Sequence, residues 1–221
     1  MDDWLPPAIR DWRPLMTIPA RLLFGPQANL ILDFKHRALG LDDDGFSKVY
    51  SAAHHIVIER DTDLTPRSLD AVLEALVGET ILEVGCGSGH LADRMSRDHK
   101  VTATDLVVDD ELVQRLPAVR FERANISELP FADRSFDTVV CTHVLEHVQA
   151  IAEAAQELRR VCKKRLIIVV PRQRPYRYTF DLHLHFFPYD YTLLALVNPV
   201  GAHTLRELSG DWVYVEDVTA P

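Results

Sequence analysis

The chain has 221 residues, 47% of them hydrophobic and 26% charged, with a formal net charge of −9. That length supports one sizeable core but not two full domains, and the acidic balance argues against a polyphosphate-bearing nucleic acid as substrate. No apolar run reaches the roughly 20 residues that span a bilayer, so no membrane span is expected.

The first 40 residues scatter Pro6, Pro7, Pro14, Pro19 and Pro26 among aromatic and apolar residues, an irregular but not a disordered composition. The acidic stretch from Asp42 to Gly45 suits capping of a following helix. Phe46, Val49, Tyr50, Ala53, Ile56 and Val57 then recur at helical spacing. Thr65-Pro66 opens another helix, with a capping hydroxyl followed by proline at the first helical position. Its stripe is Leu69, Val72, Leu73 and Leu76, and Gly78 ends it.

Beyond Gly78 the texture changes to alternating strands and helices. Strands are predicted over residues 80–84, 100–106, 119–124, 136–141 and 166–170, with helices over 89–98, 109–116 and from Ile151 to Cys162. The run Leu166–Val170 is continuously apolar, as a parallel strand buried on both faces requires. The basic run Arg159, Arg160, Lys163, Lys164 and Arg165 reads as a solvated helix end. Two final strands, 203–208 and 212–218, meet at Ser209-Gly210-Asp211 as a hairpin, which makes an antiparallel edge. The expectation is a doubly wound α/β domain over 65–221 behind an N-terminal helical extension, 1–64, that acts as a lid. Cys86, Cys141 and Cys162, without a secretory leader pattern, suggest reduced thiols in a cytoplasmic setting.

The strongest local signal is Glu83-Val84-Gly85-Cys86-Gly87-Ser88-Gly89, directly after the first strand. Bare backbone there permits a sharp turn and close approach of a ligand, and Ser88 is placed to cap the next helix. Glu83 would repel a pyrophosphate and suits a cationic or amino-bearing ligand. Asp105 ends the second strand, where a carboxylate accepts hydrogen bonds from a ribose diol. A dinucleotide fingerprint would need a small residue at position 90, and the chain has none, which disfavours an NAD-dependent oxidoreductase.

Four segments together carry a family resemblance. They are ILEVGCGSG (81–89), NISELPF (125–131), SFDTV (135–139) and VLEHV (144–148). In this order and spacing they resemble class I S-adenosylmethionine (SAM)-dependent methyltransferases of the type 11 group. The resemblance implies a Rossmann-like seven-stranded sheet, order 3-2-1-4-5-7-6, with strand 7 antiparallel. It also implies SAM as cofactor, with Glu83, Gly85, Cys86 and Gly87 at its methionine end and Asp105 on the ribose. Asn125, where the family usually has Asp, would bind the adenine amino group with Ile126 beside it. Leu106 and Leu129 would flank the adenine, and Thr142 would sit near the sulfonium.

For the methyl acceptor, histidines at strand ends are the candidate bases. His143 and His185 come first, with His147 behind them and His183 in the same stretch. The spacing of His143, Glu146 and His147 would put them on one helical face. With His183 or His185 they resemble the metal set of ubiquinone-pathway O-methyltransferases and small-RNA terminal 2′-O-methyltransferases, which have Glu at the position of His143. Arg172, Arg174 and Arg177 would recognise an acceptor carboxylate or phosphate, and Tyr50, His54, His55 and Arg60 would reach the site from the lid. The activity expected is methyl transfer to an O or N nucleophile of a small or medium polar acceptor, a natural product, glycan or lipid. The main rival is a SAM-binding partner or scaffold without turnover.

Overall fold

The computed structural model describes residues 6–38, 40–41, 45, 61–178, 180 and 182–218. The predicted helix from Phe46 to Val57, and with it Tyr50, His54, His55 and Arg60, lies outside the described residues.

Seven strands form one sheet: β1 (Thr80–Val84), β2 (Lys100–Asp105), β3 (Arg120–Arg123), β4 (Phe136–Thr142), β5 (Cys162–Pro171), β6 (His203–Leu208) and β7 (Asp211–Asp217). Their order is β3-β2-β1-β4-β5-β7-β6. The first five are parallel to one another, whereas β7 runs antiparallel to both β5 and β6. The final hairpin turns at Ser209 and Gly210, both with positive φ, so Asp211 is already the first residue of β7 and pairs with Leu208.

Period-two alternation splits the apolar residues between two cores. Val139 and Cys141 of β4 and Leu166, Ile168 and Val170 of β5 face one side. There they pack on Ile151, Ala154, Ala155, Leu158 and Val161 of a helix spanning Ile151–Val161, and on Leu193 and Val197 of a second helix, Asp190–Val197. Val140, Ile167 and Val169 face the other side, against Leu69 and Val72 of the helix Pro66–Ala75 and Leu91, Ala92 and Met95 of the helix His90–Ser96. Thr65 caps the first of these as expected, its side chain accepting from the Ser68 N–H. Asp109 caps the short helix Asp110–Arg115 in the same way.

At the end of the strands opposite the glycine turn, Asp137 accepts from the backbone N–H groups of Glu79 (2.8 Å) and Thr80 (3.3 Å) and pairs with Lys164 at 2.9 Å. Lys164 and these N–H donors hold its carboxyl well below the usual carboxylate range. Asp137 therefore anchors the start of β1 and has no part in the chemistry. Nor is the basic run a plain solvated helix end. Arg159 pairs at 2.8 Å with the fully buried Glu216, and Arg160 binds Glu157, Asp133 and the carbonyls of Leu129 and Phe131. Arg160 thus shapes the loop that carries the Leu-Pro-Phe segment.

The first 40 residues hold more helix than their prolines suggest: α1 (Pro7–Arg10), α2 (Arg13–Phe24), α3 (Ala28–Leu32) and α4 (Phe34–Ala38). Pro14 sits in the first turn of α2, where its missing N–H costs nothing. These helices bury Met16, Ala20, Ala28 and Leu32 against Tyr178, and Ile31, Phe34 and Ala38 against Leu182. They therefore close over the segment that follows β5, on the side of the sheet edge where β4 and β5 end.

Candidate active site

The glycine turn crosses from the tip of β1 toward the tip of β2. The N–H groups of Gly85 and Cys86 both donate to the Thr104 carbonyl, at 2.7 and 3.0 Å. Gly87 donates to Asp105 Oδ2 at 2.9 Å, and Val107 to Oδ1 at 3.3 Å. Gly85 has φ +79°, and a Cβ there would lie 2.1 Å from Val144 Cγ2, so the close approach of the two strand ends demands glycine. Gly87 is also left-handed, but a Cβ on it would meet nothing within 4 Å. The backbone at Gly87 therefore faces open space. Ser88 does not cap the following helix. Gly89 is its N-cap, and the Ser88 hydroxyl donates to the Asp61 carbonyl at 2.5 Å instead.

Glu83 is 2% exposed, and its Oε2 has no hydrogen-bond partner. Burial, followed by repulsion from Asp105, pushes its carboxyl well above the usual range. A bound cation beside these two acids would draw the Glu83 carboxyl back toward its ionised form. The charge, the open face at Gly87 and the remaining acceptor capacity of Asp105 fit an aminoacyl-sulfonium nucleoside. Asn125 turns its Oδ1 onto the Ser127 N–H at 3.0 Å, and Ile126 is buried beside it. Leu106 is half-buried, whereas Leu129 is 3% exposed and packs in the core. Cys86 is buried, and burial, then Glu83 and Asp105, raise its thiol beyond any reactive range. Thr142 is the last residue of β4, half-buried, next to His143.

A second cluster, holding the candidate bases, is built from β4's end, the loop after β5 and the start of β7. His143 adopts φ +54°, held by its N–H donating to the Val169 carbonyl at 2.8 Å. The turn Leu145–His147 is a short 3₁₀ segment. His143, Glu146 and His147 therefore do not share one α-helical face, and His143 points elsewhere. Its Nδ1 lies 3.4 Å from Glu146 Oε1 and its Nε2 3.3 Å from Asp211 Oδ1. Burial alone would lower this imidazole, but the two flanking carboxylates, Asp211 and Glu146, outweigh it and raise it to about 10. His143 is consequently a buried cation at neutral pH and is poorly suited to take a proton.

Glu146 is fully buried, with no hydrogen bond to either oxygen. Desolvation opposes its ionisation, yet the surrounding histidines, His143 foremost, hold its carboxyl near 2. Its backbone carbonyl accepts from the N–H groups of Leu184 (2.8 Å) and His185 (3.1 Å), which docks the loop after β5 onto it. His147 and His183 make an edge-to-face pair with centroids 4.7 Å apart. Their ligand atoms and a Glu146 oxygen lie within 4.8 Å of one another. The His147 Nδ1 sits 3.3 Å from the Leu182 carbonyl and the His183 Nδ1 2.7 Å from Gln173 Oε1. His185 differs from the others. It is half-buried, its Nε2 has no hydrogen-bond partner, and burial lowers its imidazole against backbone hydrogen bonding at Val148 and Gln149. It is thus neutral near pH 7, with a nitrogen able to accept.

Sequence reasoning gave no role to Asp211, the counter-ion of His143, because nothing in a strand-start acid marks its partner 68 positions earlier. Lys35 was equally silent. It packs its ammonium 3.9 Å from the centroid of the Phe186 ring and donates to the Tyr176 carbonyl. Of the three arginines proposed to read an acceptor anion, Arg177 is engaged through its backbone by Asp11.

The sheet order, the single reversed strand and the acid-flanked glycine turn define the Rossmann-like class I methyltransferase fold. Residues 82–170 match the family model described as "Methyltransferase domain". This part of the chain is a class I SAM-dependent methyltransferase domain, and its cofactor is SAM. The chain is 35% identical over 158 residues to a ubiquinone biosynthesis O-methyltransferase of Alkalilimnicola ehrlichii, covering 66% of this chain and 62% of that protein. The crystal structure of 1,6-didemethyltoxoflavin-N1-methyltransferase of Burkholderia thailandensis, with bound 1,6-didemethyltoxoflavin and S-adenosylhomocysteine, superposes with a TM-score of 0.65. It shares 22% identity and covers 84% of this chain and 89% of that one. The [4+2]-cyclase SpnF is 26% identical, with a TM-score of 0.51, covering 64% of this chain and 58% of that one. The chain spans 44%, 42% and 62% of the length of three curated relatives that it matches.

The raised pKa of His143 makes a signed prediction. An imidazole is protonated in both folded and unfolded chains below its ordinary value of about 6.5, so its stabilising contribution is complete there. It is lost as pH rises through the folded value of about 10. Denaturant titrations from neutral to alkaline pH should show the wild type converging on the His143→Gln variant. A stability difference that does not change over this range would contradict the buried-cation assignment.

Proposed function

We propose that the protein transfers a methyl group from SAM to an oxygen or nitrogen nucleophile of a small or medium polar acceptor. The observation that carries this reading is the buried, uncompensated Glu83 beside Asp105, with the open backbone of Gly87 between them. The ubiquinone-pathway relative, named for O-methylation, favours an oxygen acceptor. An acceptor of natural-product, glycan or lipid type fits better than nucleic acid, given the net charge of −9.

When bound, SAM supplies a methyl carbon already activated by its sulfonium. What remains for the protein is orientation and, for a hydroxyl acceptor, removal of a proton. We assign cofactor binding to Glu83, Gly85, Cys86, Gly87, Asp105, Leu106, Asn125, Ile126 and Thr142. His185 is the base, through its unpartnered Nε2. His143 holds Glu146 and does not move the proton, while His147 lies behind it. Residues 1–64 serve as the extension that closes the acceptor side, and 65–221 as the cofactor domain. Three buried free thiols support a cytoplasmic setting.

A second reading adds a divalent cation. Glu146, His147 and His183 converge, and the two Nδ1 contacts fix ring orientation in the way outer-shell partners orient metal-binding imidazoles. One carboxylate and two imidazoles suit a divalent transition ion. His143, the fourth residue of the resembling set, stands behind Glu146 and is turned to Asp211.

Three measurements test these readings. Glu83→Gln should weaken SAM binding by about tenfold or more in calorimetry. It should leave the ligand-free protein as stable or more stable, because it replaces a buried carboxyl that has no partner on one oxygen; unchanged affinity would remove the central support. With an acceptor found by screening phenols, catechols and amines for S-adenosylhomocysteine release, His185→Ala should lower kcat about 10²-fold or more with little change in SAM affinity. Equal losses in both would assign it a structural role. Added Zn²⁺ or Mn²⁺ should raise the melting temperature of the wild type but not of Glu146→Gln. If neither ion shifts it and chelation leaves turnover intact, the metal reading fails.

A further inference from the structure

Large apolar side chains that face solvent are scattered singly over most of the molecule, as is normal. Among the described residues, 9–23 hold the longest run of them. Ile9, Trp12, Leu15, Ile18, Leu22 and Leu23 are 40%, 59%, 36%, 61%, 83% and 56% exposed. Leu15, Ile18 and Leu22 recur at i, i+3 and i+7 of α2, so they form one outward stripe, with Trp12 at its N-terminal end. The opposite face of the same helix is already used, since Met16 and Ala20 are buried against Ala28, Leu32 and Tyr178. The helix is therefore apolar on two faces, and packing within the chain explains only one of them.

We propose that α2 docks the protein on the surface of an anionic lipid bilayer through this outer stripe. The charge around it selects that occupant. Of the cations in residues 7–38, Arg13, Arg21 and Arg37 are exposed, with Arg13 paired to Asp33, whereas Arg10 is buried over the Tyr176 ring and Lys35 lies on Phe186; the acids of the segment are Asp11 and Asp33, in a chain whose net charge is −9. Arg21 lies on the exposed side of α2, beside the stripe by helical spacing. Anionic headgroups complement this cationic surround. A second copy of the chain would bring the same cations face to face. Tryptophan beside leucine and isoleucine with bordering arginine is the composition of a helix that lies in the interface plane. No helix among the described residues is long and apolar enough to cross, so the contact is one of lying on the surface. The inner face of α2 rests on Tyr178, in the loop that walls the acceptor side. Docking would therefore bring the acceptor mouth to the bilayer and favour an amphiphilic acceptor. That last step rests on the methyl-transfer reading; the docking itself does not.

The test is flotation of the full chain, loaded with S-adenosylhomocysteine, with vesicles of phosphatidylcholine alone or with about one-quarter phosphatidylglycerol. The wild type should float with the anionic vesicles and little with the neutral ones. Ile18→Glu with Leu22→Glu should cut the bound fraction about tenfold or more, and Arg21→Glu should cut it less. Unchanged melting and S-adenosylhomocysteine affinity would show that the variants fold. If the double variant does not fold, Arg21→Glu and loss of the vesicle-induced fluorescence shift in Trp12→Phe carry the test. Failure of the wild type to float with anionic vesicles overturns the proposal. So does equal flotation of the folded double variant, or a wild-type dimer in sedimentation velocity that the double variant dissociates and that does not float. Cofactor affinity is read separately, so loss of docking and loss of the methyl-transfer reading are distinguishable.

Discussion

The carboxylate of Glu146 is buried without a hydrogen bond to either oxygen, and the rim where β4 ends and β7 begins is arranged around it. An isolated anion in such a place would be prohibitive. It is tolerated because His143 is held charged at 3.4 Å, and His143 is in turn held by Asp211. Two chain segments far apart in sequence are thereby committed to one another: the turn that follows β4 and the start of β7. The loop after β5 adds itself by hydrogen bonding to the carbonyl of the same glutamate. On the cofactor side the logic is inverted. Among the described residues, Glu83 has no cation against it, and its Oε2 has no hydrogen-bond partner.

These two acids divide the edge between them. Glu83 sits at the tip of β1 and Glu146 just beyond β4, and the strands are hydrogen-bonded neighbours. Val144 meets the turn at Gly85 where the two strand ends approach most closely. The same sheet carries proteins named as methyltransferases and one named as a cyclase, so the fold sets where reactants meet and leaves the reaction to the side chains at that edge.

Much of this was legible in the sequence for physical reasons. Buried parallel strands must be continuously apolar, so Leu166–Val170 announced itself. A reversed final strand needs a tight turn, and Ser209-Gly210 supplied one. The cofactor turn was legible because its glycines answer to backbone geometry, a local property. What failed was non-local. His143, Glu146 and His147 look helical by spacing, but a left-handed residue followed by a 3₁₀ turn breaks the period. The role of His143 as a cation depends on Asp211, which only folding brings near. The helices before residue 40 were obscured because their prolines fall in first turns or are carried by tertiary packing, and propensity alone weighs them as breakers.

The reversal of β7 has a consequence for how this edge is assembled. In a wholly parallel sheet each strand would deliver its last residue to the functional rim. Here the antiparallel strand delivers its first, Asp211, straight out of a two-residue turn whose Gly210 carbonyl is gripped by the Arg172 N–H at 2.7 Å. The hairpin thus works as a gauge: its length sets how far the counter-ion of His143 protrudes. One added residue in that turn would lengthen a loop on the surface, yet it would be felt in the interior as a misplaced charge.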